Sequence, residues 1–394
     1  MRRVTLLPGH SKPLWHGHPW VFADSIAMTE VGEGDLVLVT DADGSPIGRG
    51  WLSPSSQIRV RVVVRGEAGP GPDEVVPARI EAAAALRRRL FPDPAATDAY
   101  RVVHGEGDGI PGLVVDRYGE TLVAQFATKP VHARRARIAG LLLAATGARS
   151  LVARAAGKEE EEGIAQDDVP FAAGDPSPDT VLVHEEGLLL RVDLRRGQKT
   201  GHYADQRENR RVVAHLCGGA RVLDLYAGTG GFALRALLAG AKSALAVDAS
   251  EPAVATAREN AAANGVSVRL ETVVADAEER LQALAREKAT FDVVVADPPR
   301  FAATRKGVPK ALAAYRRLNA RAMARVAPGG FLATFSCSGL VDAAGFEEAI
   351  RGAARECRRE ASIVRTLSAG PDHPADLAAP EGRYLTGLLL RVRA

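Results

Sequence analysis

Apolar runs alternate with helix-like stretches most regularly in the second half of the chain, over residues 208–394. The run 221–225 predicts a buried strand, the glycines of 228–231 predict a tight turn, and 232–239 predicts the helix that follows. Further strands are predicted at 245–247, 268–275, 291–296, 331–335, 362–367 and 384–392, and further helices at 251–263, 308–326 and 346–359. This alternation predicts a doubly wound α/β domain.

The first half of the chain has shorter apolar runs and predicts two smaller domains. Apolar residues at 37–39 and 58–62 predict strands of a small β-barrel over 1–78, and the glycine- and proline-rich run 66–73 predicts a linker. Residues 79–190 predict a central α+β domain, with strands at 100–103, 112–115, 121–126 and 150–153 and helices at 80–90 and 132–146. Residues 191–394 are predicted to form the third domain.

Some polar and aromatic features of the first half allow two interpretations. Trp15, Trp20 and Trp51 all lie in the predicted barrel, where core packing is the favoured explanation and stacking on bases is the alternative. The acidic run 158–162 predicts a mobile, solvated loop. Three glycines within 104–109 favour a turn over a metal site, so no metal is predicted.

Composition limits the class of protein. With 394 residues and 46% hydrophobic content, the chain can form two or three packed domains. No apolar run approaches the ~18 residues that a membrane-spanning helix needs. The three cysteines form no CxxC pair, which favours a reducing compartment and no zinc site. We therefore expect a cytoplasmic protein without a membrane partner.

The distribution of charge is more informative than the net charge of +3. Residues 300–325 include eight basic side chains and no acidic one. One-sided charge beside a candidate site indicates a polyanionic substrate, because a solvated helix face usually mixes both signs. The residues predicted to contact this polyanion are Arg300, Arg305, Lys306, Arg316, Arg317 and Arg321.

Acidic residues stand at or just beyond the carboxyl ends of four predicted strands of the α/β domain, at the edge where such folds bind ligands. They are Asp224, Asp248, Asp276 and Asp297. Asp248 would accept hydrogen bonds from ribose hydroxyls, and Asp276 would accept one from the adenine amino group. Asp224 would face a positively charged portion of the ligand. Asp224 would repel a pyrophosphate, so S-adenosylmethionine fits this set better than a dinucleotide does.

Short motifs throughout the chain resemble known families. Residues 224–231, 248–250, 275–276 and 297–301 resemble the motif series of class I methyltransferases, and residues 17–22 with 53–59 resemble a PUA RNA-binding domain. The segments 197–201, 205–209, 336–338, 372–374 and 380–387 extend the likeness over nearly the whole chain. The chain thus resembles the PUA-containing class I methyltransferases that make 5-methylcytosine in large-subunit ribosomal RNA.

The resemblance implies an α/β fold: a Rossmann-like class I methyltransferase domain preceded by an N-terminal β-barrel PUA-like domain and a central α+β domain. It implies S-adenosylmethionine as cofactor and large-subunit ribosomal RNA as partner, and it leaves a homodimer open. The basic residues of 300–325 would then contact RNA. The expected cofactor contacts are Tyr203, Asp224, Tyr226, Ala227, Gly228, Gly230, Asp248, Ala249, Ser250, Asp276 and Asp297.

The chemistry of cytosine methylation predicts roles for two residues. Carbon 5 of cytosine is a weak nucleophile, and a thiolate that adds to carbon 6 makes it reactive. Cys337 ends a strand predicted to neighbour the one that ends at Asp297, so Cys337 is the expected nucleophile and Asp297 would hold the base edge. Cys217 and Cys357 are expected to be inert. Many RNA cytosine methyltransferases have a second cysteine where Arg300 stands, so the base that assists product release is not identified.

Two other functions compete with this hypothesis. One is a methyltransferase acting on an amino group of guanine or adenine in RNA, which would need an aromatic residue directly after the Asp-Pro-Pro motif. Here Arg300 intervenes before Phe301. The other is a non-catalytic ribosome-assembly protein that binds RNA, against which the intact acidic series and Cys337 argue.

Overall fold

The computed structural model describes residues 1–195, 197 and 200–393. Two compact units divide these residues in a way that differs from the three predicted domains. The first unit comprises 1–183, 192–204 and 371–382, and the second comprises 184–191, 205–370 and 383–394. Within the motif 197–201, Gln198 and Lys199 lie outside the described residues.

The first unit begins with a six-stranded sheet that corresponds to the predicted barrel. Its strands are β1 (Arg2–Leu6), β2 (Trp20–Phe22), β3 (Ile26–Thr29), β4 (Leu36–Thr40), β5 (Pro46–Leu52) and β6 (Ile58–Arg65), with the short helix α1 (Lys12–Trp15) after β1. Their order is β2-β6-β5-β4-β1-β3, and only β1 and β4 are parallel neighbours. Core packing explains Trp51, which is 1% exposed, but not Trp15, which is 51% exposed.

The rest of the first unit is built on a five-stranded sheet. Its strands are β7 (Ala99–His104), β8 (Leu113–Tyr118), β9 (Thr121–Phe126), β10 (Ser150–Ala153) and β11 (Ala172–Gly174), in the order β11-β10-β9-β8-β7. Its helices are α2 (Pro72–Leu90), α3 (Lys129–Ala133), α4 (Arg135–Thr146) and α5 (Glu159–Glu162). A two-stranded sheet of β12 (Thr180–Glu185) and β13 (Leu188–Asp193) follows along the chain.

Helix α2 begins inside the predicted linker and crosses the predicted domain boundary at residue 78. Pro72 occupies its first turn, where a proline costs no hydrogen bond. The Glu74 side chain accepts the backbone N–H of Gly71 at 3.1 Å and caps the helix start. The linker prediction is therefore wrong from residue 72 onward.

The acidic run 158–162 is not the solvated loop that its composition predicted. Residues 159–162 form helix α5, and the side chain of Glu162 is 2% exposed. Oε1 of Glu162 pairs with the guanidinium of Arg61 on β6 at 2.9 Å, and Oε2 accepts the backbone N–H of Lys129 at 3.2 Å. The sequence pattern failed here because the partner that buries the charge is distant along the chain.

The second unit is a seven-stranded sheet with helices on its faces. Its strands are β14 (Arg221–Leu225), β15 (Ser243–Asp248), β16 (Leu270–Val274), β17 (Phe291–Ala296), β18 (Val326–Ser336), β19 (Ala361–Ser368) and β20 (Thr386–Val392). Its helices are α6 (Arg207–Ala214), α7 (Gly231–Leu238), α8 (Glu251–Ala263), α9 (Ala277–Arg286), α10 (Val308–Met323) and α11 (Ala343–Glu356). These elements confirm the predicted doubly wound α/β domain.

The strand order of this sheet determines where a site can form. The order is β16-β15-β14-β17-β18-β20-β19, and the first five strands are parallel while β20 is antiparallel to both neighbours. The chain winds outward first from β14 to β16 and then from β17 onward. A crevice therefore opens beyond the carboxyl ends of β14 and β17, which is where ligands bind in such sheets.

Apolar side chains fill the interior of the second unit. Leu223 and Val294 on the strands pack with Tyr315 and Phe346 from helices α10 and α11. Because helices cover the strands, these parallel strands are apolar on both faces, which accounts for their unbroken apolar runs. Over the described ranges, no helix combines the length and apolar character needed to cross a membrane.

The buried Glu162 gives a test of the first unit. Glu162→Ala should lower the free energy of unfolding by about 3 kcal/mol, because the Arg61 guanidinium would stay buried without its carboxylate. Urea titration followed by tryptophan fluorescence measures this unit, since Trp15, Trp20 and Trp51 all belong to it. The exposed Glu161 in the same helix supplies the control, and Glu161→Ala should change stability by less than about 0.5 kcal/mol. Equal effects of the two substitutions would contradict the buried ion pair between Glu162 and Arg61.

Candidate functional site

The glycine turn after β14 has the backbone conformation of a ligand cradle. Tyr226, Gly228 and Gly230 have φ values of 61°, 53° and 88°, which place all three in the left-handed region. A side chain at Gly230 would approach Ala257 to 3.2 Å, whereas a Cβ at Gly228 would meet no atom within 4 Å. The backbone at Gly228 therefore borders open space, while Gly230 provides the close approach of α7 and α8.

Asp248 ends β15 and is held in place by the turn. One carboxylate oxygen accepts the backbone N–H of Gly228 at 2.8 Å, and the other accepts that of Ser250 at 2.8 Å. The Ser250 hydroxyl in turn accepts the N–H of Ala253 and caps helix α8. Ala249 lies between these two anchored residues. The Asp248 carboxylate is thus pre-oriented, and each oxygen keeps a lone pair that could accept a hydroxyl group.

Asp224 is a buried carboxylate whose pKa is raised well above its ordinary value. Its side chain is buried, and Oδ2 accepts the N–H of Ala233 at 2.9 Å. Burial is the main cause that raises the pKa of Asp224 to about 7; the charges of Asp297 and Asp248 contribute to this rise, and the Ala233 N–H and the Arg210 guanidinium oppose it. Oδ1 has no hydrogen-bond partner among the described residues. A buried acceptor of this kind suits a cationic ligand group.

Asp276 has a structural role that the sequence had left open. Its Oδ1 accepts the backbone N–H groups of Glu278 at 2.8 Å and Glu279 at 3.1 Å, which makes it the N-cap of helix α9. Burial raises the pKa of Tyr226, and the charges of Asp276 and Glu278 add to this rise. A contact from Asp276 to adenine stays a prediction.

Asp297 and Cys337 meet at the carboxyl edge of the sheet. Strands β17 and β18 are parallel neighbours in which Ala296 pairs with Thr334, so the residues that follow both strands emerge side by side. The half-buried thiol of Cys337 donates to the carbonyl oxygen of Pro298 at a sulfur–oxygen distance of 3.8 Å. The thiol thus lies against the residue that follows Asp297, while the shared pocket and the nucleophilic role of Cys337 stay predictions.

Ser338 holds the loop that follows Asp297. Its buried hydroxyl oxygen accepts the backbone N–H groups of Phe301 at 3.1 Å and Ala302 at 3.3 Å. The same hydroxyl bonds to the phenol of Tyr315 at 3.1 Å, and the ring of Phe301 lies 4.7 Å from that of Tyr315. The sequence showed Ser338 only as a neighbour of Cys337, because its partners come from other elements.

The motif 205–209 supplies residues that sequence reasoning left without a role. Gln206 donates from Nε2 to Oδ2 of Asp297 at 2.9 Å, and Asn209 donates to Oε1 of Gln206 at 2.6 Å. The Tyr384 phenol donates to Asp205 at 2.6 Å. The resemblance included these positions, but only the fold shows that they reach the carboxyl edge of the sheet.

The basic segment 300–325 is less one-sided in space than in sequence. Arg316 pairs with Glu356 on α11 at 2.9 Å, and both Arg317 and Arg321 pair with Glu278 on α9. The expectation of unneutralised charge is therefore wrong for these three arginines, because neighbouring helices provide the carboxylates. The three remaining predicted contacts are exposed and form no ion pair within the described part of the chain; they are Arg300, Arg305 and Lys306.

The remaining candidates are Tyr203 and two cysteines. Tyr203 belongs to the first unit, one residue before the chain leaves it, and its contact with the cofactor stays a prediction. Burial raises the pKa of the Cys217 thiol to about 12 and also raises that of Cys357. A thiol with a raised pKa forms little thiolate, in agreement with the predicted inertness of both. Within the described residues, no cluster of three or more potential metal ligands occurs.

Comparison with known proteins shows the family to which the chain is similar. The family model of S-adenosylmethionine-dependent methyltransferases matches residues 143–390, and that of PUA-like domains matches residues 4–65. Proteins named Ribosomal RNA large subunit methyltransferase I from Shewanella denitrificans and Aeromonas salmonicida are 36% and 35% identical to the chain, each match covering 99% of both chains.

A solved structure provides a comparison of folds. It is a candidate S-adenosylmethionine-dependent methyltransferase from Streptococcus mutans, which superposes with a TM-score of 0.85 at 18% identity. The match covers 99% of this chain and 100% of that one. A second solved structure, of a candidate methyltransferase complexed with SAH, also gives a TM-score of 0.85 at 18% identity.

The residues at the glycine turn fit S-adenosylmethionine. The unpaired buried oxygen of Asp224 suits the positive charge that this cofactor carries, and the anchored carboxylate of Asp248 suits its ribose hydroxyls. The open space at Gly228 leaves room for the ligand beside the turn. Asp224, Gly228 and Asp248 would therefore hold the cofactor together with the α7 N-terminal region.

The raised pKa of Asp224 predicts a pH-dependent cofactor affinity. Below about pH 7 the carboxyl of the unliganded protein is largely protonated, and a bound cation favours the ionised form, so binding must release a proton. We expect affinity for S-adenosylmethionine to rise with pH between about 5.5 and 7, by up to tenfold per pH unit. Isothermal titration calorimetry measures this dependence. Asp224→Asn should bind S-adenosylmethionine more weakly at pH 7, and its affinity should no longer depend on pH. An affinity of the native protein that does not change with pH would show that Asp224 does not contact the cation.

Proposed function

The chain belongs to the S-adenosylmethionine-dependent methyltransferase family, and we propose that it methylates carbon 5 of a cytosine in large-subunit ribosomal RNA. The names of its relatives support the substrate, since they are ribosomal RNA large subunit methyltransferases. The PUA-like match at residues 4–65 supports contact with RNA. The position of the methyl group is inferred from the side chains at the sheet edge.

The observation that carries this proposal is the contact of a thiol with the loop that follows Asp297. Cys337 follows β18 and contacts the carbonyl oxygen of Pro298, the residue directly after Asp297. Methylation of an amino group needs no cysteine, because the nitrogen lone pair attacks the methyl group itself. Methylation at carbon 5 needs a nucleophile at carbon 6, and Cys337 stands where it can provide one.

The residues would act in a defined sequence on the cytosine ring. The Cys337 thiolate adds to carbon 6, and the electrons of the 5,6 double bond make carbon 5 nucleophilic. S-adenosylmethionine, when bound, would supply an electrophilic methyl group to carbon 5 and would leave as S-adenosylhomocysteine. Asp297 accepts a hydrogen bond from the exocyclic amino group and holds the ring edge. Once carbon 5 carries the methyl group, a base takes its proton, the double bond re-forms and the bond between sulfur and carbon 6 breaks.

The alternative of amino-group methylation has less support from the geometry. Enzymes of that kind place an aromatic ring directly after the Asp-Pro-Pro motif to stack on the base. Here Arg300 occupies that position, and the next residue, Phe301, packs its ring against Tyr315. A non-catalytic assembly protein would have no need for a buried, unpaired acceptor at Asp224 or for a half-buried thiol at Cys337.

Removal of the thiol tests the mechanism directly. Cys337→Ala should bind S-adenosylmethionine normally but lose methyl transfer to an unmodified large-subunit RNA transcript by about 1,000-fold or more. Cys357→Ala is the matched control, and it should keep near-native turnover because Cys357 contacts the backbone of its own helix end. Mass spectrometry of the digested RNA identifies the product nucleoside. Near-native turnover by Cys337→Ala would exclude the covalent mechanism.

Trapping of the covalent intermediate gives independent evidence. RNA with 5-fluorocytosine at the target should form an adduct with the native protein, because fluorine cannot leave as a proton does. The adduct should be visible as a slower band on a denaturing gel and be absent with Cys337→Ala. Amino-group methylation predicts no adduct with either protein.

The unpaired basic residues give a test of RNA binding. The triple substitution of Arg300, Arg305 and Lys306 by Ala should reduce the slope of log affinity against log salt by about 0.7 per lost single-strand phosphate contact. The matched control replaces Arg316, Arg317 and Arg321, which removes the same formal charge. These residues already pair with Glu278 and Glu356, so the control should change the slope less. Fluorescence anisotropy with labelled RNA measures the slope for both triple variants. Equal changes in slope would contradict the prediction that Arg300, Arg305 and Lys306 contact RNA more than the paired arginines do.

A further inference from the structure

A line of hydrogen bonds joins the backbone of β19 to the carboxylate of Asp297. Nδ2 of Asn209 donates to the carbonyl oxygen of Ser368 at 3.0 Å and to Oε1 of Gln206 at 2.6 Å. Nε2 of Gln206 then donates to Oδ2 of Asp297 at 2.9 Å. We refer to Gln206 and Asn209 as the amide pair.

The backbone carbonyl determines which way both amides point. A carbonyl oxygen can only accept, so Asn209 must direct its NH₂ group toward Ser368 and Gln206. Gln206 must then turn its oxygen to Asn209 and its NH₂ group to Asp297. Gln206 is 2% exposed and Asn209 is 3% exposed, so bulk water has little access to replace these bonds. Asp297 therefore always meets a hydrogen-bond donor at Oδ2.

Helix α6, which contains Asn209 and begins directly after Gln206, is itself anchored. Arg210, one residue after Asn209 in α6, donates two hydrogen bonds to Glu185 at 2.7 and 2.5 Å, and both side chains are buried. Its Cδ lies 3.0 Å from the position that a Cβ at Gly231 would occupy, at the start of α7. These contacts restrain the backbone of the helix and therefore the backbone from which the side chains of the amide pair extend.

We propose that the amide pair fixes Asp297 as a hydrogen-bond acceptor and thereby makes the enzyme select cytosine over uracil. This inference rests on the proposed function. Cytosine carries an amino donor on carbon 4, where uracil carries a carbonyl oxygen, and a carboxylate accepts from the first and repels the second. A donor at Oδ2 favours the ionised carboxylate, whereas a protonated Asp297 could donate to uracil. Gln206 and Asn209 are positioning residues, since they act through Asp297.

The test uses substitutions that change the donor while keeping the shape. Gln206→Glu is isosteric and places an acceptor beside Asp297, and Gln206→Met removes the donor with little change in length. Asn209→Asp removes the NH₂ group that orients Gln206. Asn264→Asp is the matched control, because Asn264 makes comparable bonds to the backbone of Leu189 and Asn260, and none of them reaches Asp297.

Two large-subunit RNA transcripts serve as substrates, identical except that the second has uridine at the cytosine that the native protein methylates. We expect each amide-pair variant to lower kcat on the cytosine RNA by about tenfold or more and to lower the ratio of kcat/KM for cytosine over uridine by a similar factor. Affinity for S-adenosylmethionine, measured by calorimetry, should stay within about twofold of native. Asn264→Asp should change neither the rate nor the ratio.

The outcomes separate a specific role from a general structural one. Equal losses on both RNAs, with the ratio unchanged, would overturn the proposal, as would native kcat and ratio in a folded variant. If Gln206→Met or Asn209→Asp fails to bind cofactor, the proposal is judged on the ratio of kcat/KM for cytosine over uridine that the isosteric Gln206→Glu gives. Failure of the proposed function looks different, because the native protein would then make no 5-methylcytosine or Cys337→Ala would remain active.

Discussion

Repulsion between carboxylates at one sheet edge is the constraint on which the site depends. Asp224, Asp248 and Asp297 follow or end adjacent parallel strands, and the other two charges help raise the pKa of the buried Asp224 to about 7. Backbone N–H groups of Ala233 and Gly228 offset part of this cost. A cationic cofactor would offset the rest of this cost, so we expect these carboxylates to favour the binding of S-adenosylmethionine.

The same edge separates two tasks at the point where the strand order reverses. The strands from β14 to β16 present the glycine turn and the anchored Asp248, which suit a nucleoside. The strands β17 and β18 present Asp297 and Cys337, which suit the base to be modified. Because parallel strands end at the same edge, the fold brings both groups together without any long excursion of the chain. Ser338 and Gln206 then hold the loop and the carboxylate in place.

Charge patterns along the chain proved a poor guide wherever the partner is distant. The acidic run 158–162 suggested solvation, yet Glu162 is buried against Arg61. The segment 300–325 suggested an open basic surface, yet Glu278 and Glu356 neutralise part of it. In both cases the formal charge predicted from the sequence was correct, but the residues around it were not predicted. A count of charges within a short segment leaves out ion-pair partners on other helices and strands.

The sequence by itself determined the α/β class, the positions of most strands and helices in the second unit, and the residues that follow strands. These depend on local rules: apolar periodicity selects the element, and glycine is favoured where φ is positive. Only the tertiary structure decided that Asp276 caps a helix, that Oδ1 of Asp224 has no partner among the residues described, and that Gln206 reaches Asp297. Gln206 and Asp297 are 91 positions apart and Arg61 and Glu162 are 101 apart. Contacts over such separations arise from how strands and helices pack, which no local pattern contains.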